Sequence, residues 1–182
     1  MKRQLAILLS AAMVLGSSVT AMAADVTFRD LNDVPWEGAK NYILQAAQLD
    51  LMVGEISEDQ TTYRFRAKDH VTYCEAVQLA YNILISQGEA TVSDATTIKW
   101  RSAMSGYQIP AWAYEAVAYG LEHGIVTLDD LSGFMTEDGQ SRAATREDVA
   151  IIFGRALNKG ESLSSSTNTG FNDNGSISFL FH

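Results

Sequence analysis

The feature that most constrains this chain is a helix start written twice. Thr72-Tyr73-Cys74-Glu75 and Thr145-Arg146-Glu147-Asp148 each put a Thr ahead of an apolar run, with an acid three residues on, and they lie 73 residues apart. A Thr in the N-cap position accepts a hydrogen bond from a free N–H of the first turn, and the acid reaches back to the cap's own N–H. Acids there also suit the positive end of the helix dipole. Arg146 is the exception, a cation in a first turn that disfavours it. An amphipathic helix cannot bury its apolar face alone, so a start repeated at this distance predicts stacked supersecondary units sharing one core.

The residues around each start extend the repeat. From Trp36 the positions Trp36, Ala39, Ile43, Ala46 or Ala47 and Leu49 recur at spacings of three and four, which predicts a helix. Asn32 or Asp33 is its expected cap, with Pro35 in its first turn and Gly54 near its end. After a polar loop, the alternation of Tyr63-Arg64-Phe65-Arg66 permits a short strand or an extended segment. The helix opened by Thr72 has Val77, Ala80, Tyr81 and Leu84 as its buried face and Gly88 as its stop. Residues 89–106 are polar and weakly patterned, with Trp100 as their one large apolar group, and read as a connector holding at most one helical turn. Pro110 opens a third helix marked by Trp112, Ala116, Val117, Tyr119 and Gly120, which stops at His123-Gly124. A loop over 129–141 carries Phe134, and Thr145 opens a fourth helix with Val149, Ile152, Phe153, Ala156 and Leu157 facing inward and Lys159-Gly160 as its end. Both units therefore read as a Trp-led helix, a loop with an aromatic, and a Thr-capped helix. Trp36 to Trp112 is 76 residues, and the Phe28-to-Trp36 interval of eight recurs from Phe171 to Phe179, so residues 171–182 read as the start of a third unit after a Ser/Thr-rich linker over 161–170.

Lys2-Arg3, the apolar run Leu5–Leu15 and Ala21-Met22-Ala23 predict a secretory signal peptide over 1–23. That run is too short to span a membrane, and no later stretch is longer. Without residues 1–23, 11 basic residues face 22 acids, taking the net charge from −9 to −11. Such a surface excludes non-specific nucleic-acid binding, and an anionic polymer would need a local basic site. The single Cys74 rules out an intrachain disulfide and reads as a small buried apolar side chain. No catalytic constellation is found: His70, His123 and His182 lack metal-ligand spacing, and no Ser or Cys sits in a nucleophile context. Asn172-Asp173-Asn174-Gly175 lacks the further ligands and closing Glu of a calcium loop. No enzyme activity, metal or cofactor is expected.

Phe28-Arg29-Asp30, Trp36, Leu51-Met52-Val53-Gly54, Phe65-Arg66 and Thr72-Tyr73-Cys74-Glu75 in the first unit resemble the S-layer homology (SLH) repeat. So do Trp112-Ala113, Gly124-Ile125-Val126, Phe134 and Thr145-Arg146-Glu147-Asp148 in the second, and Phe171-Asn172-Asp173 in the third stretch. The resemblance implies a mainly α fold of helix–loop–helix SLH repeats, over 24–88 and 107–160, packed as an incomplete pseudo-threefold spindle. It also implies an exported cell-wall or S-layer protein anchored by binding secondary cell-wall polysaccharide, often through a pyruvylated sugar, with the motif Arg as main contact. In the first unit Tyr73 stands at that Arg position, which leaves Arg146 as the matching residue, and Met104-Ser105-Gly106 replaces the Phe-x-Asp opening of the second unit.

The residue chemistry agrees on one point: an Arg beside free N–H groups makes a local anion site. With the resemblance, the expected glycan contacts are Arg146 with its neighbours Thr145 and Glu147, and Trp36, Trp112 and Asp30. Trp36 and Trp112 are expected mainly in the helix–helix core, with a share in sugar stacking at its rim, and Asp30 in turn capping. Two units leave core surface unshared, which favours a homo-oligomer or pairing with other SLH chains. The alternatives left open are a structural or protein-interaction module without glycan binding, and an anchor fragment of a longer surface protein or enzyme.

Overall fold

The computed structural model describes residues 27–34, 36–56 and 62–157. The expected signal peptide, Pro35, the end of the fourth helix, the linker and the third-unit start lie outside them. Among the described residues the chain is mainly α, with six helices packed together and a small two-stranded antiparallel sheet. The elements are α1 (Ala39–Gln48), β1 (Glu55–Ile56), β2 (Tyr63–Arg64), α2 (Tyr73–Ser86), α3 (Asp94–Gly106), α4 (Tyr114–Glu122), α5 (Leu128–Leu131) and α6 (Arg146–Leu157).

The opening of the first unit forms a small cluster of its own. Phe28 is buried and meets Phe65 edge-on, with ring centroids 5.6 Å apart. Both carboxylate oxygens of Asp30 accept backbone N–H groups, from Phe65 and Arg66, each at 2.8 Å. Gly54 has φ +77°, and a Cβ there would lie 2.6 Å from the Phe28 ring, so only glycine lets β1 pass this close. The sheet pairs Glu55 with Arg64 and Ile56 with Tyr63.

Four helices end alike. A residue in the left-handed region follows each C-terminus (Asp50, Gly88, Gln108, Gly124), and the next N–H reaches back to the last turn, as in Leu51 to Ala46 and Glu89 to Leu84. The stop of α1 therefore falls at Asp50 and not at Gly54. Its start also differs from expectation: Leu31–Asp33 is a separate 3-10 turn, and α1 begins after Gly38, without a side-chain cap.

Thr72 caps α2 as expected, with Glu75 accepting from the Thr72 N–H at 2.8 Å. Cys74, Ala76, Val77, Ala80, Tyr81 and Leu84 of this helix are buried. Burial pushes the Cys74 thiol up to about 11, which suits an inert packing role. The hub is α2, which packs against both α4 and α6, while α3 lies along α4. The two capped starts sit side by side: the Tyr73 N–H donates to Arg142 O at 3.1 Å and the Ala144 N–H to Val71 O at 2.9 Å. Phe134 fills the seam between them and stacks on Tyr73, with centroids 5.0 Å apart.

Three expectations are corrected. Residues 94–106, read as part of a connector, form a thirteen-residue helix capped by Ser93. Its apolar contribution is nearly confined to Met104, which is buried, and Trp100, half-buried against the core with its indole N–H on Glu122 at 2.8 Å. Packing on α4, not its own periodicity, stabilises it. The stretch from Asp129 is not all loop either: α5 is one helical turn, capped by Thr127 with Asp130, and it buries Leu131. Leu157, expected inward on α6, is 71 % exposed.

Candidate functional site

Neither Trp36 nor Trp112 is in the core: they are 62 % and 55 % exposed. Trp36 precedes α1, and its indole folds over Gly38, where a Cβ would lie 3.1 Å from the ring nitrogen. Trp112 sits in the 3-10 turn Ala111–Ala113, where the fully buried Ala113 takes the inward position and the tighter winding turns the indole out.

That turn opens one wall of a groove of about 420 Å³ lined by Leu49, Asp50, Gln78, Asn82, Trp112 and Glu115, with Tyr81, Ile85, Ser86 and Val92 completing it. The end of α1, the middle of α2 and the start of α4 thus converge. The Gln78 amide donates to Asn82 Oδ1 at 2.8 Å, and the Asn82 amide donates to Leu51 O at 3.0 Å, which ties α2 to the end of α1. The Tyr81 hydroxyl donates to Glu115 Oε1 at 2.6 Å. Burial, and then the Glu115 carboxylate, raise the Tyr81 hydroxyl above its ordinary range, so it stays a donor. Among the described residues Gln78 Oε1, Glu115 Oε2 and the Asp50 carboxylate take no hydrogen bond, so the groove offers these acceptors beside an exposed indole.

A second crevice, about 210 Å³, lies beside the capped starts and is lined by Tyr73, Phe134, Asp130, Asp148, Ile152 and Arg155, among others. Two of its charged groups pair with each other and a third is held by a helix cap. Arg155 Nη1 stands 2.8 Å from Asp130 Oδ2. Asp148 accepts the Thr145 N–H at 2.7 Å and the Thr145 hydroxyl at 2.6 Å. Burial alone would raise the Asp148 pKa. The Thr145 and Tyr73 hydroxyls and the Thr145 N–H outweigh it and hold the carboxyl below its usual value.

Asp30 behaves alike: burial would raise it, and the Phe65 and Arg66 N–H groups prevail. A carboxyl whose pKa is lower folded than unfolded stabilises the fold above the unfolded value, 3.8 for Asp, and that stabilisation is lost as pH falls through the lowered folded value. The urea midpoint is accordingly expected to hold from pH 7 to pH 5 and to fall below pH 4. Asp148→Asn should be less stable at pH 7 and lose less on acidification. Equal acid losses in variant and wild type would clear Asp148 of this role.

The remaining expected contacts are scattered. Arg146 is exposed at the first turn of α6, has no ion pair among the described residues and lines neither groove. The Thr145 hydroxyl is held by the cap, and Glu147 Oε1 is buried without a hydrogen-bond partner among the described residues. Asp30 is engaged by backbone. Of the expected set Trp112 alone lines either of these two grooves. Its companions Asp50, Gln78, Asn82 and Glu115 were not foreseen, although Gln78 and Asn82, polar four residues apart on a largely apolar helix, are a readable signal.

Among the described residues no group of three or more His, Cys, Asp or Glu is arranged to hold a metal ion, and no helix is long and apolar enough to cross a membrane. Comparison with protein-family models, curated proteins and solved structures finds no match.

Proposed function

We propose that this chain is a non-catalytic cell-envelope anchoring module that binds wall polysaccharide through SLH-like repeats. The observation that carries the reading is the exposed indole of Trp112 in a groove beside Gln78, Asn82 and Glu115. An indole face packs on the C–H face of a sugar ring, and a few convergent polar groups fix the hydroxyls around it. The pairing of the two Thr-capped starts supports the repeat reading, in which α2 and α6 are corresponding helices of successive units in an incomplete pseudo-threefold spindle. Arg146, exposed at a helix start, is the cation this reading assigns to an acidic substituent such as a pyruvyl group. The protein acts at the cell wall or S-layer of an exported system, alone or paired with other SLH chains.

The test is co-sedimentation of the full chain with purified wall polysaccharide carrying pyruvylated sugars. Wild type is expected to pellet with the polymer, and Trp112→Ala to weaken binding at least about tenfold, as truncation of an aromatic anchor does. Arg146→Ala should weaken binding to the pyruvylated polymer and leave binding to its depyruvylated form unchanged. Wild type that stays in the supernatant would reject the anchoring reading in favour of an interaction module without glycan binding.

A further inference from the structure

The charge of the Trp112 groove is at odds with an acidic ligand. Among the described residues its lining holds the carboxylates of Asp50 and Glu115 and no Lys, Arg or His. It shares no residue with α6, so the Arg146 guanidinium is not among the groups that line it. Glu115 is anchored by the Tyr81 hydroxyl, which engages one oxygen and leaves the other to accept from a ligand. Among the described residues the free acceptors are Gln78 Oε1, Glu115 Oε2 and the Asp50 carboxylate, and the donors beside them, the Trp112 indole N–H and the amide N–H groups of Gln78 and Asn82, carry no charge. Such a set takes O–H and N–H donors and repels a carboxylate at short range, where like charges are poorly screened. A protonated amine gains twice, from the carboxylates and from the indole face.

We propose that the Trp112 groove is a subsite for a sugar without an acidic group, with an amine-bearing hexosamine preferred to its N-acetylated form and a carboxylate-bearing sugar excluded. The inference rests on the glycan-binding reading above and assigns to the groove a different part of the polymer from the acidic substituent assigned to Arg146.

Calorimetric titration of the full chain at low salt with three probes decides it: a glucosamine tetramer, an N-acetylglucosamine tetramer and a hyaluronan tetrasaccharide, which carries glucuronate. The expected order is glucosamine over N-acetylglucosamine by about three- to tenfold, shrinking as salt rises, with hyaluronan weakest. Glu115→Gln keeps an acceptor for Tyr81 and should abolish most of the amine preference while N-acetylglucosamine still binds. Trp112→Ala should weaken both neutral and amine-bearing probes. Hyaluronan binding as tightly as the others in a Trp112-dependent way would overturn the charge inference and leave glycan binding standing. No Trp112-dependent binding of any probe, together with no sedimentation on wall polymer, would overturn both. A lysine-rich peptide displacing the glucosamine tetramer at equal concentration would also overturn the proposal, in favour of peptide docking.

Discussion

Phe134→Ala is expected to lower the unfolding free energy by about 3–5 kcal/mol, read from the shift of the urea midpoint at unchanged slope. Phe134 is 1 % exposed, so truncation removes a whole aromatic side chain from a closed site. Its ring stacks on Tyr73 at an interplanar angle of 18°, and the Phe134 carbonyl accepts the Arg142 N–H at 2.8 Å. Phe134 lies in the loop between α5 and α6 and Tyr73 opens α2, so truncation removes one of the contacts that join the two capped starts. The backbone on both sides is held by hydrogen bonds, which limits collapse into the cavity and favours the upper part of the range. A domain of ordinary stability, about 5–15 kcal/mol, would be left near its threshold. A loss under about 1 kcal/mol would show that the seam repacks and that the two units do not depend on this ring.

Arg155→Ala is expected to cost about 3 kcal/mol, because it breaks a buried ion pair from one side only. The paired side chains are 14 % and 7 % exposed for Arg155 and Asp130. Arg155 Nη1 also donates to Ile125 O at 3.3 Å, which ties α6 to the segment after α4. In the variant the Asp130 carboxylate keeps the Thr127 N–H of its capping box and loses its counter-charge. Asp130→Asn in the Arg155→Ala background should recover part of the loss, since the orphaned charge is then gone while a capping oxygen remains. Without recovery, the cost would lie in the packing of the Arg155 stem and not in the stranded carboxylate.

Much of the framework was readable from local chemistry. Thr72 with Glu75 and Thr145 with Asp148 mark helix starts because a cap and its reciprocal acid lie within one turn. Gly88 and Gly124 mark helix ends because a left-handed residue there suits glycine best. Where non-glycine residues take that conformation, as at Asp50 and Gln108, the local sequence does not mark the end. The helix at 94–106 is illegible for a different reason: its own residues bury little, and packing on α4 stabilises what periodicity does not announce.

The groove was the least readable part. Asp50, Gln78 and Glu115 come from three elements, and Glu115 meets Tyr81 across 34 residues of sequence. Trp112 was expected inward because Trp is large and apolar, yet one 3-10 turn gives the buried position to Ala113 and sends the indole to the surface. The amino-acid order alone determined the two capped helix starts, their 73-residue repeat and the acidic charge balance, because each depends on neighbours or on composition. Which side chains face outward, and which acceptors meet Trp112, was decided only by the packing of α1, α2 and α4. Long-range contacts rotate each helix to satisfy the whole core, and no single segment encodes that rotation.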